Sequence, residues 1–452
     1  MLVMKFGGTS VADAKAIARV INHIKTRRDK KTIVVVSAIA EATNILTKVA
    51  KLAAKNKLQQ CKKILLPFKN RHLKIIKDLI HEQKLFTQTQ SQIEAYFTEI
   101  HTSLEEISLI SKLSDHCFAK VVAYGELLSS TMLHATMLEN RVKNILVDAR
   151  KIIITDDNHQ EGTPILEQMA KKMPPLLNKI LNQGTIVLTQ GFIASTPEGA
   201  TTILGREGSD YSASLIGMVM NAKEIQIWTD VDGVMTADPR KIANTKFIPH
   251  LSFREAAELS YFGAKIIHPL TIHPAAKKNI PVRILNSTKL DPKQKGTLIT
   301  NDTKTKQAKI TSITYRENSK IVNISPNQTA PQNNFLSNIL SLFNAEQITI
   351  DAATISGTNI SLVLNHLAPL DNIMKELALF AKITSDLSSS LVCVVGKNFN
   401  NIEKIAGNIF QTLDGFNVRI MIHGSSNTNL VLMVGKNDVL TVVQKLHDSF
   451  FG

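Results

Sequence analysis

A chain of 452 residues exceeds one ordinary domain. At roughly 150 residues per domain it holds two to three, each long enough to bury a core. Apolar residues make up 44% and charged residues 20%, a globular balance, and the lack of any run of about 18 apolar residues argues against a transmembrane helix. The net charge of +15 invites a nucleic-acid reading. However, the excess Lys and Arg between Lys48 and Lys84 are accompanied by a single aromatic, Phe68. That pattern reads as a solvated helical face whose field favours small anionic substrates.

Met1-Leu2-Val3-Met4-Lys5-Phe6 runs straight into a Gly-Gly turn, without the basic start and cleavage site of a signal peptide, so a cytoplasmic location is expected. The well-separated Cys61, Cys117 and Cys393 have no metal spacing and read as reduced thiols.

Strand-like runs follow at Leu2–Phe6, Thr32–Ser37, Asn144–Asp148, Thr185–Gln190, Glu224–Thr229 and Val282–Leu285. Several are almost continuously apolar, as in a parallel sheet covered on both faces. Helical patterns such as Ser10–Lys25 and Tyr211–Met220 lie between them, which predicts an α/β layered domain over residues 1–300. Residues 51–112 are rich in Lys, Gln and Leu and read as a helical lobe. The polar stretch 288–309 reads as a boundary. Two β-α-β-β-α units of the ferredoxin type follow, at 309–386 and 387–452.

Three segments carry chemistry. Lys5-Phe6-Gly7-Gly8-Thr9-Ser10 ends a strand on two glycines, whose bare backbone admits an anion, with Ser10 as expected helix N-cap and Lys5 within reach of a phosphate oxygen. The same pattern also fits an ordinary tight turn. Leu204-Gly205-Arg206-Glu207-Gly208-Ser209-Asp210 precedes a helix with Ser209 at its expected cap. Arg206 there suits a two-pronged contact to a carboxylate, while Asp210 fits a helix-dipole partner, an ammonium ligand or a metal–phosphate organiser. Thr229-Asp230-Val231-Asp232-Gly233-Val234-Met235 and the following Asp238-Pro239-Arg240 leave a buried-looking strand at its carboxyl end, where open α/β sheets bind ligands. Ser37-Ala38 with Thr43-Asn44 sit after another strand end. Gly125-Glu126 is read as a helix start, and Phe262–Pro269 offers Lys265 and His268 near a turn. Walker A, Gly-x-Ser-x-Gly and His-Glu-x-x-His patterns are all missing.

In this order and spacing the segments resemble the aspartate kinase family within the amino acid kinase fold. Val394-Val395-Gly396 and Gly424-Ser425-Ser426 extend the resemblance to the second of two C-terminal ACT domains. The resemblance implies a three-layer αβα, carbamate-kinase-like domain with a mainly parallel sheet, plus two ferredoxin-like ACT units. It implies transfer of phosphate from ATP, with Mg²⁺, to L-aspartate, at the entry to lysine, diaminopimelate, threonine and methionine synthesis. By the same resemblance Lys5, Arg206 and Asp210 would be catalytic. Ser37, Ala38, Thr43, Glu126, Arg206, Ser209 and Asp210 would hold aspartate. Lys5, Gly7, Gly8, Thr229, Asp230, Met235, Arg240 and Lys265 would lie along ATP, Met235 standing where relatives often have an aromatic. An amino-acid effector would meet Asp351 and Ser356, with Gly357 in place of a carboxylate found in lysine-sensitive relatives. The ACT units would join a homodimer, and neither nucleic acid nor membrane is expected as a partner.

Competing readings are another amino acid kinase, acting on glutamate, acetylglutamate or a carbamate, and a non-catalytic amino-acid sensor. The paired C-terminal units oppose the first, and the intact Lys5, Glu126, Arg206 and Asp210 oppose the second. Because Gly452 follows soon after the second unit, no fused dehydrogenase or decarboxylase is expected.

Overall fold

The computed structural model describes residues 1–27, 29, 31–264, 267, 269–291, 293–301, 309–327, 334–365, 369–399, 403–423 and 427–452. In chain order the elements begin β1 (Leu2–Phe6), α1 (Ala14–Arg27), β2 (Thr32–Val36), α2 (Ala42–Ala53), α3 (Leu58–Leu79), α4 (Gln83–Ile110) and α5 (Asp115–Glu139). Then come β3 (Asn144–Val147), α6 (Leu166–Leu181), β4 (Ile186–Gln190), β5 (Ile193–Ser195), β6 (Thr201–Ile203), α7 (Gly208–Val219), β7 (Glu224–Thr229), β8 (Val234–Met235), β9 (Phe247–Ile248) and β10 (His250–Ser252). After them lie α8 (Phe253–Tyr261), α9 (Pro269–Lys277), β11 (Val282–Asn286) and β12 (Thr297–Thr300). The last group is β13 (Lys309–Pro326), α10 (Phe335–Ala345), β14 (Ile350–Ser356), β15 (Asn359–Asn365), α11 (Asp371–Leu377), β16 (Ala381–Lys397), α12 (Glu403–Thr412), β17 (Ile420–Ile422), β18 (Asn429–Gly435) and α13 (Val439–Phe451).

The chain forms two compact units, Met1–Val234 with Pro249–Phe253 and Ile266–Asp302, and Met235–Ile248 with Arg254–Lys265 and Thr303–Gly452. The first is built on an eight-stranded sheet in the order β10-β12-β11-β7-β1-β2-β4-β3. All neighbouring pairs from β11 to β3 are parallel, and β12 runs antiparallel to β11. Every residue of β1, β2 and β4 is buried, which explains why these strands are apolar at most positions: helices cover both faces of the sheet. β1 sits between β2 and β7, so its carboxyl end is the place where connections part to either side and ligands lodge. The expected helical lobe consists of α3 and α4, 22 and 28 residues long.

Two helix starts differ from expectation. Gly8–Val11 is a short 3₁₀ turn, so Ser10 caps nothing. Asp13 caps α1 instead, its Oδ1 accepting from Ala16 N at 2.8 Å. Gly125-Glu126 lies in the middle of α5, which starts a few turns earlier with Ser114 as N-cap accepting from Cys117 N. The helix tolerates Gly125 there because its bare Cα packs close to Ala38.

The second unit is a six-stranded sheet ordered β14-β15-β13-β16-β18-β17, with the adjacent strands antiparallel. The element order is β-α-β-β-α twice over, as the sequence predicts. The long strands β13 and β16 are shared between two cores. Val322, Ile324, Phe335, Ile339, Leu362 and Ala381 belong to one, whereas Ile310 and Ile313 join Val392, Val394, Leu430 and Val442 in the other. The first half of β13 thus serves the second core, although it comes first in sequence. No helix among the described residues is long and apolar enough to cross a membrane.

Candidate active site

The carboxyl ends of β1, β2, β4, β7 and β11 lie side by side, with Phe6 opposite Val36 and Trp228, Val36 opposite Gln190, and Asn286 opposite Thr229. The Gly7-Gly8 turn leaves β1 here. Gly7 N donates to Trp228 O at 3.2 Å, and Ala40 N donates to Gly8 O at 3.1 Å. A Cβ on Gly8 would stand 2.9 Å from the carbonyl oxygen of Ala38, whereas one on Gly7 would meet nothing nearer than 3.5 Å. The two glycines therefore differ in kind: Gly8 is required by a backbone contact and Gly7 is not. Gly8→Ala is expected to displace the turn and lower kcat/KM by about 10²-fold, the scale of a misplacement of roughly 1 Å in a positioned site. Gly7→Ala is expected to keep wild-type thermal stability, so kinetics and melting of the two variants side by side check the reading.

Lys5, the penultimate residue of β1, is buried and forms an ion pair with Asp210, both side chains being under a tenth exposed. Asp210 comes from the first turn of α7. That helix starts at Gly208, and Glu207 before it takes a left-handed backbone (φ 54°). Ser209 is therefore inside the helix, buried, and not its cap. Gly205 is also left-handed (φ 72°), a conformation that suits glycine. The turn leaves Arg206 exposed, with no ion pair or hydrogen bond among the described residues.

Glu126 comes from the middle of α5 and is 3% exposed. Its Oε1 accepts from Ala38 N at 3.2 Å. Its Oε2 is buried without a hydrogen-bond partner among the described residues. Burial pushes the carboxyl up to about 8, against the pull of the Ala38 N–H and of the Lys5 charge. A buried acceptor left open is costly. An incoming cation with N–H donors would satisfy it. Ser37 and Thr43 flank this loop, both half-buried.

At the β7 end, Thr229 Oγ1 donates to Asp230 Oδ1 at 3.2 Å, and Asp230 is exposed. Asp232 is held by Asn286 Nδ2 at 2.8 Å and Lys289 Nζ at 2.6 Å, and these partners keep its carboxyl below the ordinary range. Met235 and Arg240 belong to the second unit, where Arg240 pairs with Asp238 at 2.9 Å. Lys265, His268 and Gly424-Ser425-Ser426 lie outside the described residues. Asp351 is bound by Arg316 through both guanidinium nitrogens. Ser356 is exposed at the other end of β14, about 16 Å along the strand.

The structure thus brings together Lys5, Gly7, Gly8, Ser37, Ala38, Thr43, Glu126, Ser209 and Asp210, with Thr229 and Asp230 at the neighbouring strand end. Sequence reading missed Gly191 and Ser287. A Cβ on Gly191 would lie 2.6 Å from Ser209 Cβ, so this glycine lets β4 touch α7. The signal was the Gln190-Gly191 step at a strand end. Ser287 was hidden in a stretch that resembles the edge of a linker.

Residues 1–286 match the model of the amino acid kinase family, and residues 392–450 match that of the ACT domain. Lysine-sensitive aspartokinase 3 of Escherichia coli is 31% identical over 462 residues, covering 100% of this chain and 99% of the relative. The crystal structure of E. coli aspartokinase III with aspartate and ADP, the R-state, superposes with a TM-score of 0.84 at 30% identity, covering 100% of both chains. The T-state complex of that enzyme with lysine and aspartate gives 0.81 at 31% identity, again over 100% of both chains. The chain belongs to the amino acid kinase family and, within it, to the aspartokinases, which are ATP-dependent kinases.

Proposed function

We propose that this kinase transfers the γ-phosphate of ATP to the side-chain carboxylate of L-aspartate, giving 4-phospho-L-aspartate. The observation that carries the reading is Glu126, a fully buried carboxyl whose open Oε2 awaits an ammonium beside the buried Lys5–Asp210 pair. In this reading Glu126 takes the α-ammonium and Arg206 clamps the α-carboxylate. Ser37, Ala38, Thr43 and Ser209 close the pocket around the acceptor. Lys5 neutralises charge on the phosphoryl group in flight, and Asp210 holds the Lys5 side chain in place. The Gly7-Gly8 turn offers backbone N–H groups to the phosphates. The Thr229-Asp230 end lies along the nucleotide, while the nucleotide assignments of Met235, Arg240 and Lys265 rest on resemblance alone.

The acceptor carboxylate has an ordinary pKa of about 3.9, so it is ionised at neutral pH and needs no general base. The burden is to bring two anions into line. Mg²⁺ would suit this chemistry because it prefers phosphate oxygens with one or two carboxylates; the exposed Asp230 is one such carboxylate, and Asp210, already paired with Lys5, is a second. Bound there, it would neutralise charge on the triphosphate.

We place the kinase domain at residues 1–300, with residues 51–112 as its lobe, and ACT domains at 309–386 and 387–452. The strand Lys309–Pro326 contributes to both ACT cores. The pair of ACT domains is read as the seat of an amino-acid effector and of a homodimer, in a cytoplasmic enzyme at the entry to lysine, threonine and methionine synthesis. An effector ammonium arriving at Asp351 has to compete with Arg316. The test is an acceptor panel followed by ADP release. Turnover with aspartate at least about 10³-fold above glutamate and N-acetylglutamate supports the reading, and preference for either alternative rejects it.

A further inference from the structure

The loop after β11 begins as a polar stretch, yet it is knotted into the strand ends that carry the site. Ser287 is 2% exposed, as is Ser10. Ser10 Oγ donates to Ser287 Oγ at 2.7 Å, and Ser287 Oγ donates on to Thr229 O at 2.9 Å. Ser287 N also donates to Thr229 O at 2.7 Å, and Ser287 O meets His23 Nε2 at 3.1 Å. His23 in turn packs on Trp228, with ring centroids 4.3 Å apart. The residues on either side brace the same loop, since Asn286 and Lys289 both bind Asp232. The hydroxyl of Ser287 is therefore the middle link of a chain running from the end of β1 to the end of β7.

A serine serving only its own turn would bond within a few residues of itself. This one joins segments 277 and 58 positions away, the very two assigned to phosphate and nucleotide. The Ser10 hydroxyl also lies 3.3 Å from Trp228 O, but its single proton has the shorter path to Ser287 Oγ, which gives its own proton onward to Thr229 O. A shift of one loop is thereby felt by the other.

We propose that Ser287 is a positioning residue for phosphoryl transfer: its hydroxyl fixes the phosphate-binding turn Gly7–Ser10 against the nucleotide loop at Thr229-Asp230, and so sets where the triphosphate lies relative to Lys5. The proposal rests on the kinase reading above for the identity of the ligand. It does not depend on which acceptor is used.

The experiment compares wild type, Ser287→Ala, Ser10→Ala and the double variant, reading ADP affinity by calorimetry, KM for ATP, KM for aspartate and thermal midpoint. Loss of one link in a buried network is expected to weaken ADP binding and raise KM for ATP by about 5–20-fold. KM for aspartate is expected to stay within about twofold. Because the two serines act as one unit, the double variant should be no worse than Ser287→Ala by more than about twofold. A lower thermal midpoint with unchanged ADP affinity and KM for ATP would overturn the proposal, as would single effects that multiply in the double variant. Should Ser287→Ala not fold, Ser10→Ala breaks the same bond, together with the 3.3 Å contact to Trp228 O, and decides by ADP affinity alone. If wild type fails to phosphorylate aspartate, the acceptor reading falls, while the ratio of ADP affinities still decides the role of Ser287.

Discussion

Replacing Lys5 with alanine is expected to lower kcat by about 10³-fold with little change in KM for aspartate. A preorganised charge aimed at the moving phosphoryl group acts mainly in the transition state, and loss of one such donor costs about 10²–10³-fold or more. The same change strands Asp210, because the two groups are paired and buried. An uncompensated buried charge destabilises by about 3–5 kcal/mol, so Lys5→Ala should melt earlier as well. Lys5→Ala with Asp210→Ala separates the two effects. Removing both partners should restore much of the thermal midpoint and none of the activity. If the double variant regained activity, Lys5 would be a structural ion and the phosphoryl-transfer role would be withdrawn.

Aspartate binding should weaken as the pH falls below about 8, by close to tenfold per unit. The carboxyl of Glu126 is pushed up to about 8 by burial, so below that pH the free enzyme carries it protonated. An ammonium needs the carboxylate, and each binding event then releases a proton. Between pH 8 and pH 6 KM for aspartate should rise by roughly 50-fold, because the carboxyl is already half protonated at pH 8. Glu126→Gln removes the slope and leaves KM high at all pH values, by about 10²-fold relative to wild type at pH 8. Stability carries the opposite sign. A carboxyl with a raised folded pKa stabilises while protonated, fully so below its ordinary value of 4.5, and this contribution is lost as the pH climbs through 8. Above pH 8 the ligand-free Glu126→Gln protein should therefore melt later than wild type. Calorimetric titrations and melting curves across pH 6 to 9 read both signs, and a flat wild-type profile would remove Glu126 from the ammonium site.

Much of the sheet was legible because burial on both faces leaves its mark along a single strand. Leu2–Phe6 and Thr32–Val36 are apolar at nearly every position, and all of them are buried. Gly8 was legible for a related reason, since the close backbone approach of Ala38 demands a residue without Cβ there. Glu126 was only half legible. Glycine before it reads as a helix boundary, whereas in the fold it is the contact that lets α5 lie against Ala38, which is what buries the carboxyl. The Lys5–Asp210 pair spans 205 positions of sequence, and no local pattern announces which acid a strand lysine will meet. Ser287 escaped notice for the opposite reason. The polar composition of 286–294 is the same whether the side chains face water or one another, and here Asn286, Ser287, Lys289 and Gln294 bond to strand ends and to each other. The repeated β-α-β-β-α order was readable, but the sharing of β13 between two cores was not. Eighteen residues of strand look alike along their length until the partners on each half are known.

The measurement that meets the central claim most directly is the identity of the product. With wild-type protein, ATP, Mg²⁺ and L-aspartate, hydroxylamine should trap aspartyl β-hydroxamate in a one-to-one ratio with ADP, and Glu126→Gln should need far more aspartate to form it. ADP without hydroxamate, or hydroxamate from glutamate in preference to aspartate, would contradict the account.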